Sequence, residues 1–182
     1  QDGDGVPYRT VPGNQHRMAS YFTRGSGHDA DAKYSEDEHD YKYILDRLRK
    51  KFKTARKFVP KPIIDKERGV KTGIICYGSS YEAVREARDR LKVAGLKTNH
   101  LLIRALPLTS EVRDFLAEHD TIYLVEQNRD AQMAAIIKDE HPELGMKIVS
   151  VLVYNGLPVT PLEIVKQIWD AGQSAELRTA HM

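Results

Sequence analysis

Between residues 72 and 172, short apolar runs alternate with segments whose apolar positions recur at steps of three and four. The runs cover 73–77, 100–105, 121–125 and 147–154, and the helical segments cover 81–94, 110–118, 131–140 and 161–171. Strands that alternate with helices predict an α/β domain: an open, mainly parallel sheet with helices on both faces and right-handed crossovers. The capping residues agree with these boundaries. Ser79 stands three residues before Glu82, Thr160 precedes Pro161 and Glu163, and Gly95 closes the first helix.

Ahead of that domain, residues 35–59 predict a long amphipathic helix. Ser35 and Glu38 have capping-box spacing, and Tyr41, Ile44, Leu45, Leu48, Phe52, Ala55 and Val59 form one apolar stripe. Acidic residues gather at its start and basic ones, from Arg47 to Lys57, at its end, as the helix dipole favours. Pro60 and Pro62 stop it, and residues 65–71 form a charged linker. Residues 1–33 are rich in Gly and Pro without a sustained period and predict an irregular arm; residues 173–182 are polar and predict a loose tail. The expected division is therefore arm 1–33, helix and linker 34–71, α/β domain 72–172 and tail 173–182. A first residue of Gln1 rather than Met suggests a processed or excised piece.

Composition narrows the function classes. The chain of 182 residues is 41% hydrophobic and 30% charged, the profile of a soluble globular protein, and its net charge of +2 lacks the basic field of a nucleic-acid binder. One cysteine, Cys76, sits inside an apolar run, which excludes a disulfide scaffold and a cysteine-ligated cluster held by this chain alone. No apolar run reaches membrane-spanning length, and a cytoplasmic setting is expected.

The polar residues that follow the strands carry the candidate chemistry. Glu126, Gln127, Asn128, Arg129 and Asp130 continue directly from the run 121–125 and open a helix, so they stand at the carboxyl end of a strand, where open α/β sheets meet ligands and partners. Solvating a loop and capping the helix is the plainer reading of the same residues. Gly78, Ser79 and Ser80 follow the first strand in the same way, and their amides and hydroxyls suit either an ordinary cap or an anion. They match neither a phosphate-binding Walker loop nor a dinucleotide fingerprint. Arg104 ends the second strand, so an anion site or interface from Ser79, Arg104, Asn128 and Arg129 is geometrically open. In the arm, Arg24 and His28 bracket a Gly-Ser-Gly turn that permits an anion contact as well as a tight bend. No nucleophilic set and no metal-ligand spacing stands out among the seven His, and His100 and His119 read as structural or exposed.

Several runs together resemble a known family. Tyr21-Phe22-Thr23-Arg24-Gly25-Ser26-Gly27-His28-Asp29, Tyr77-Gly78-Ser79-Ser80, Ile103-Arg104-Ala105-Leu106-Pro107, Val125-Glu126-Gln127-Asn128-Arg129-Asp130 and Tyr154-Asn155-Gly156-Leu157-Pro158 are similar to the alpha subunit of 2-oxoacid:ferredoxin oxidoreductases, most closely the 2-oxoglutarate type. The resemblance implies a thiamine diphosphate enzyme that decarboxylates a 2-oxoacid oxidatively, makes an acyl-CoA and passes electrons through a 4Fe–4S cluster to ferredoxin. It implies that this chain is the carboxyl-terminal part of the subunit: residues 1–71 as tail and linker of the thiamine-diphosphate-related domain, residues 72–172 as a transketolase C-terminal-like domain.

The family's Tyr-Pro-Ile-Thr-Pro motif, a thiamine diphosphate fingerprint and cluster cysteines are absent from the chain. The resemblance therefore places thiamine diphosphate, Mg2+ and the cluster in other domains and the beta subunit, with no cofactor bound by this chain alone and no activity in it alone. Expected partners are the beta subunit, the remaining alpha-subunit domains and, through the complex, ferredoxin, with neither nucleic acid nor membrane. Gly78, Ser79, Ser80, Arg104, Asn128 and Arg129 are the candidates for an anion, CoA or interface contact; Arg24, His28, Glu126, Gln127 and Asp130 are candidates for an interface. A terminal domain of another thiamine-dependent enzyme, either a 2-oxoacid dehydrogenase beta chain or a transketolase, and a stand-alone anion- or nucleotide-binding module are the competing readings.

Overall fold

Ile74, Ile75 and Cys76 have no exposed surface, and neither do Ile122, Leu124 and Val125; burial on both faces of two adjacent strands sets the architecture. The computed structural model describes residues 2–17, 19–20 and 27–179, with backbone alone for 174–179. The chain divides into two units, Gln1–Val59 and Pro60–Met182.

In the first unit, helix α1 is Glu38–Ala55. Its cap is Asp37 rather than the expected Ser35: the Asp37 carboxylate accepts the amides of His39 and Asp40 at 2.8 and 3.2 Å. Ser35 Oγ instead accepts the Asp37 amide and donates to the Asp40 carboxylate. An ionised acceptor nearer the apolar stripe wins the capping position. The helix also stops short of residue 59, because the turn before Pro60 tightens as Lys57 donates to Thr54 O and Phe58 to Ala55 O. Of the expected stripe only Ile44 is buried, while Tyr41, Leu45 and Phe52 are exposed. The arm before α1 has no regular element among its described residues. It lies along the helix at Gly5, where a Cβ would come within 2.6 Å of the Lys51 amide nitrogen.

The second unit holds a five-stranded sheet in the order β1-β3-β2-β4-β5. The strands are β1 Ile63–Asp65, β2 Thr72–Tyr77, β3 Asn99–Ile103, β4 Thr121–Glu126 and β5 Ile148–Leu152. Pairing is parallel throughout, except that β1 runs antiparallel to β3. Helices α2 Ser80–Val93, α3 Ser110–Glu118, α4 Gln132–Glu140, a short α5 Pro142–Gly145 and α6 Pro161–Thr179 connect and cover it. The two faces separate by residue parity, as a strand's pleat requires. Ile75, Ile122 and Leu124 pack with Phe115 and Leu116 of α3 and Ile137 of α4. Ile74, Cys76, Tyr123 and Val125 pack with Leu91 of α2 and Ile164 and Ile168 of α6.

Three details correct the sequence reading. Strand β1 lies in what reads as linker. Three residues beside Pro62 are too few for a period, and the strand is held from outside by a 2.7 Å ion pair between Asp65 and Arg88 of α2. Helix α6 continues through most of the expected tail to Thr179, since Ala175, Glu176, Leu177 and Arg178 suit a helix without an apolar period. Ser79 makes no side-chain cap to α2. The other two caps form as expected: Thr160 and Glu163 exchange hydrogen bonds, and Gly95 takes a φ of 92° as Leu96 donates to Leu91 O at 2.8 Å.

His100 and His119 are both buried and structural. His119 donates from Nδ1 to Phe115 O at 2.6 Å, leaving Nε2 to accept from Asn99 Nδ2 at 2.9 Å. His100 lies 3.2 Å from Cys76 Sγ and stacks on Tyr81. Burial drives the Cys76 thiol up to about 12. Burial first, and then the Arg88 charge, drive His100 from 6.5 down to about 4 against the opposing pull of Asp65. The unfolded chain thus takes up its proton on His100 before the native chain does, so stability falls as pH drops from 6.5 to about 4. The contribution is about 3 kcal/mol over that window. Urea denaturation near pH 7.5 and near pH 4 should show a loss in the unaltered chain that exceeds the loss in His100→Gln by about that amount.

Candidate functional site

Strand β2 feeds β3 on one side, and β4 returns on the other, so the strand order reverses between β2 and β4. Open sheets of this kind leave a crevice beyond the carboxyl ends of those two strands. Tyr77, Gly78, Ser79 and Ser80 lie at one end, Gln127, Asn128 and Gln132 at the other, and together they line a cavity of about 260 Å³.

Beneath it lies Glu126, the last residue of β4, with no exposed surface. Its Oε1 accepts the amide of Ala134 at 3.0 Å, and its Oε2 accepts the amide of Met133 at 2.8 Å, the Tyr77 hydroxyl at 3.2 Å and Asn128 Nδ2 at 2.9 Å. The carboxylate thereby caps α4 from the preceding strand. Ala131, at the usual capping position, has a φ of 50° and offers no side-chain acceptor. Burial, followed by the Glu126 charge, raises the Tyr77 pKa, so the phenol stays protonated and donates.

The rest of the loop is tied to this carboxylate. Asn128 Oδ1 accepts the amides of Asp130 and Gln132 at 3.1 and 3.2 Å, which turns the chain into α4. Gln127 reaches across the crevice and donates from Nε2 to Ser79 Oγ at 2.9 Å and to Ser80 Oγ at 3.2 Å. Ser79 is thus spent on the loop after β4 and not on capping its own helix. Gly78 has a φ of 60° in open space, so backbone conformation and not crowding calls for glycine there.

Of the residues expected to form one site, Gly78, Ser79, Ser80 and Asn128 come together, with Gln127 between them. Arg104 and Arg129 do not line the crevice. Arg104 is exposed and donates to Lys61 O at 3.4 Å; Arg129 is exposed and pairs with its neighbour Asp130 at 2.7 Å. Glu126, expected at an interface, is fully buried and acts only through the groups that it holds. His28 belongs to the other unit, where it borders a cavity of about 510 Å³ with Arg9, Asp29 and Arg47. Arg24 lies outside the described residues. Tyr77 and Gln132 are the lining residues that the sequence reading missed. Tyr77 had a readable signal as the last residue of an apolar run ahead of Gly-Ser-Ser; Gln132 had none.

The described residues include no group of three or more His, Cys, Asp or Glu placed to hold a metal ion. No helix among them is long and apolar enough to cross a membrane.

No family model matches the chain, and no curated protein matches it. Solved structures do. The chain is similar to 2-oxoglutarate:ferredoxin oxidoreductase from Magnetococcus marinus, solved with 2-oxoglutarate, coenzyme A and succinyl-CoA bound. Identity is 23% and the TM-score 0.72, over 92% of this chain and 29% of that one. It is also similar to a split-gene transketolase in the form of an inactive β4 tetramer, at 18% identity and a TM-score of 0.50, over 61% of this chain and 41% of that one. The likeness is one of fold, a transketolase C-terminal-like α/β sheet, and the chain spans less than a third of the oxidoreductase chain that it matches.

Replacing Glu126 by Ala strands the amides of Met133 and Ala134 together with Tyr77 and Asn128. Each buried donor left unpaired costs about 1–3 kcal/mol, so Glu126→Ala should lower the unfolding free energy by about 3 kcal/mol or more in urea titration. Glu126→Gln keeps an acceptor oxygen and should lose about half as much.

Proposed function

We propose that this chain is the carboxyl-terminal part of the alpha subunit of a 2-oxoacid:ferredoxin oxidoreductase of the 2-oxoglutarate type, and that it builds contacts between cofactor-bearing parts instead of performing chemistry itself. The observation that carries the reading is the likeness of fold to the Magnetococcus marinus enzyme over 92% of the chain. The motif runs support it, since Tyr77-Gly78-Ser79-Ser80 and Glu126-Gln127-Asn128 meet across one crevice.

In this reading the complete enzyme decarboxylates a 2-oxoacid oxidatively with thiamine diphosphate and Mg2+, forms an acyl-CoA and reduces ferredoxin through a 4Fe–4S cluster. Those groups belong to the remaining alpha-subunit domains and to the beta subunit. A cluster takes four thiolates, whereas this chain has one cysteine, which is buried against His100. Ser79 and Gln127, exposed at the crevice, are neutral hydrogen-bonding groups suited to a protein partner, whereas Asn128 is spent on Glu126, Tyr77 and the turn into α4. The exposed guanidinium groups of Arg104 and Arg129 are the ones suited to the anionic part of CoA.

The test combines this chain with the purified beta subunit and the rest of the alpha subunit, and follows assembly together with CoA-dependent ferredoxin reduction on 2-oxoglutarate. Assembly and turnover only when the chain is present are expected; a folded chain that neither associates nor restores turnover overturns the proposal. Within the assembled enzyme, Arg104→Ala or Arg129→Ala should raise the apparent KM for CoA about tenfold, the loss of one charge-assisted hydrogen bond. An unchanged KM in both variants removes the arginines from CoA binding while leaving the assembly result standing.

A further inference from the structure

We propose that the side-chain amide of Gln167 on α6 serves as a substitute strand, closing the open edge of the sheet at Leu152 so that another extended chain cannot pair along β5. Strand β5 is last in the sheet and has β4 as its one neighbour. The Val153 amide donates to Glu126 O at 3.0 Å, so the backbone groups of that residue face β4. In a parallel ladder the groups that face a given neighbour alternate, and those of Leu152 face outward.

Gln167 satisfies both of them. The Leu152 amide donates to Gln167 Oε1 at 3.0 Å, and Gln167 Nε2 donates back to Leu152 O at 3.0 Å. One primary amide thus reproduces the donor and acceptor pair that a neighbouring strand would present. The amide is held in place by its helix: Ile164 and Ile168, three residues before and one after, are fully buried against the sheet.

An unpaired edge is a template for association, and proteins block such edges by shortening or covering them. By the same alternation Ile148 and Ser150 also face outward, so closing Leu152 cuts the free edge of this five-residue strand to two residues. So short a pairing is not stable in water. Association through this domain is thereby steered away from β5.

Native-state hydrogen exchange on the full chain reads the contact directly, and sedimentation velocity reads its consequence. The Leu152 amide should exchange at least tenfold more slowly than the Ser150 amide on the same edge. Gln167→Leu should abolish that difference and make the chain self-associate at concentrations where the unaltered chain is monomeric. Gln167→Glu, which keeps the acceptor for Leu152 N–H, should retain the protection, whereas Leu, of similar size but without an acceptor, should lose it, a contrast that packing alone at this position would not produce. Equal exchange at Leu152 and Ser150 in the unaltered chain overturns the proposal without reliance on any variant. So does self-association of the unaltered chain that protects the Ser150 amide, or a folded Gln167→Leu chain that gains no association.

Discussion

A carboxylate with no exposed surface has to find its hydrogen bonds inside the protein, and Glu126 finds four of them. Two come from the first turn of α4, where unpaired amides and the helix dipole both favour a negative charge. One comes from Tyr77 at the end of β2, and one from Asn128 in the loop between β4 and α4. A single group therefore ties the carboxyl ends of both strands that flank the switch point to the helix that follows. Asn128, once held, turns the chain into α4 through its Oδ1, and the conformation of the crevice follows from that chain of contacts.

The sheet beneath is stabilised differently at its centre and its edges. Strands β2 and β4 are covered on both faces, so their apolar residues run without polar interruption. At one edge β1 runs antiparallel to β3, with Asp65 held by Arg88, whose hydrogen bond lowers the carboxyl pKa. Arg88 also donates to Thr98 O, so one guanidinium joins α2, β1 and the entry to β3. Polar groups of this unit tend to be spent on joining elements: Lys147 donates to the carbonyls of Leu116 and His119 and so closes the end of α3.

How much of this was legible depended on whether the signal was local. The alternation of strands and helices from residue 72 onward was readable because each element carries its own period and its own punctuation, as Thr160-Pro161 and Gly95 show. Strand β1 was not, because three residues carry no period and their pairing with β3 lies some forty residues away in the chain. At the site, Gly78, Ser79, Ser80 and the run from Glu126 to Asn128 were readable as strand ends in an α/β sheet. Their division of labour was not. Ser79 binds Gln127 instead of its own helix, and Glu126 is buried while Arg104 and Arg129 are exposed.

The alternation of strands and helices from residue 72 onward, the two-faced burial of β2 and β4, and the residue types at the carboxyl edge are properties of the sequence by itself. They follow from period and residue chemistry, which act over a few neighbouring residues. Which carboxylate is buried, that Ser79 meets Gln127 instead of capping its own helix, and which arginines stand clear of the crevice were decided by the tertiary structure alone. The partners of Glu126, Gln127 and Gln167 include groups on other elements that the strand order brings within hydrogen-bond reach, and no local pattern records that order.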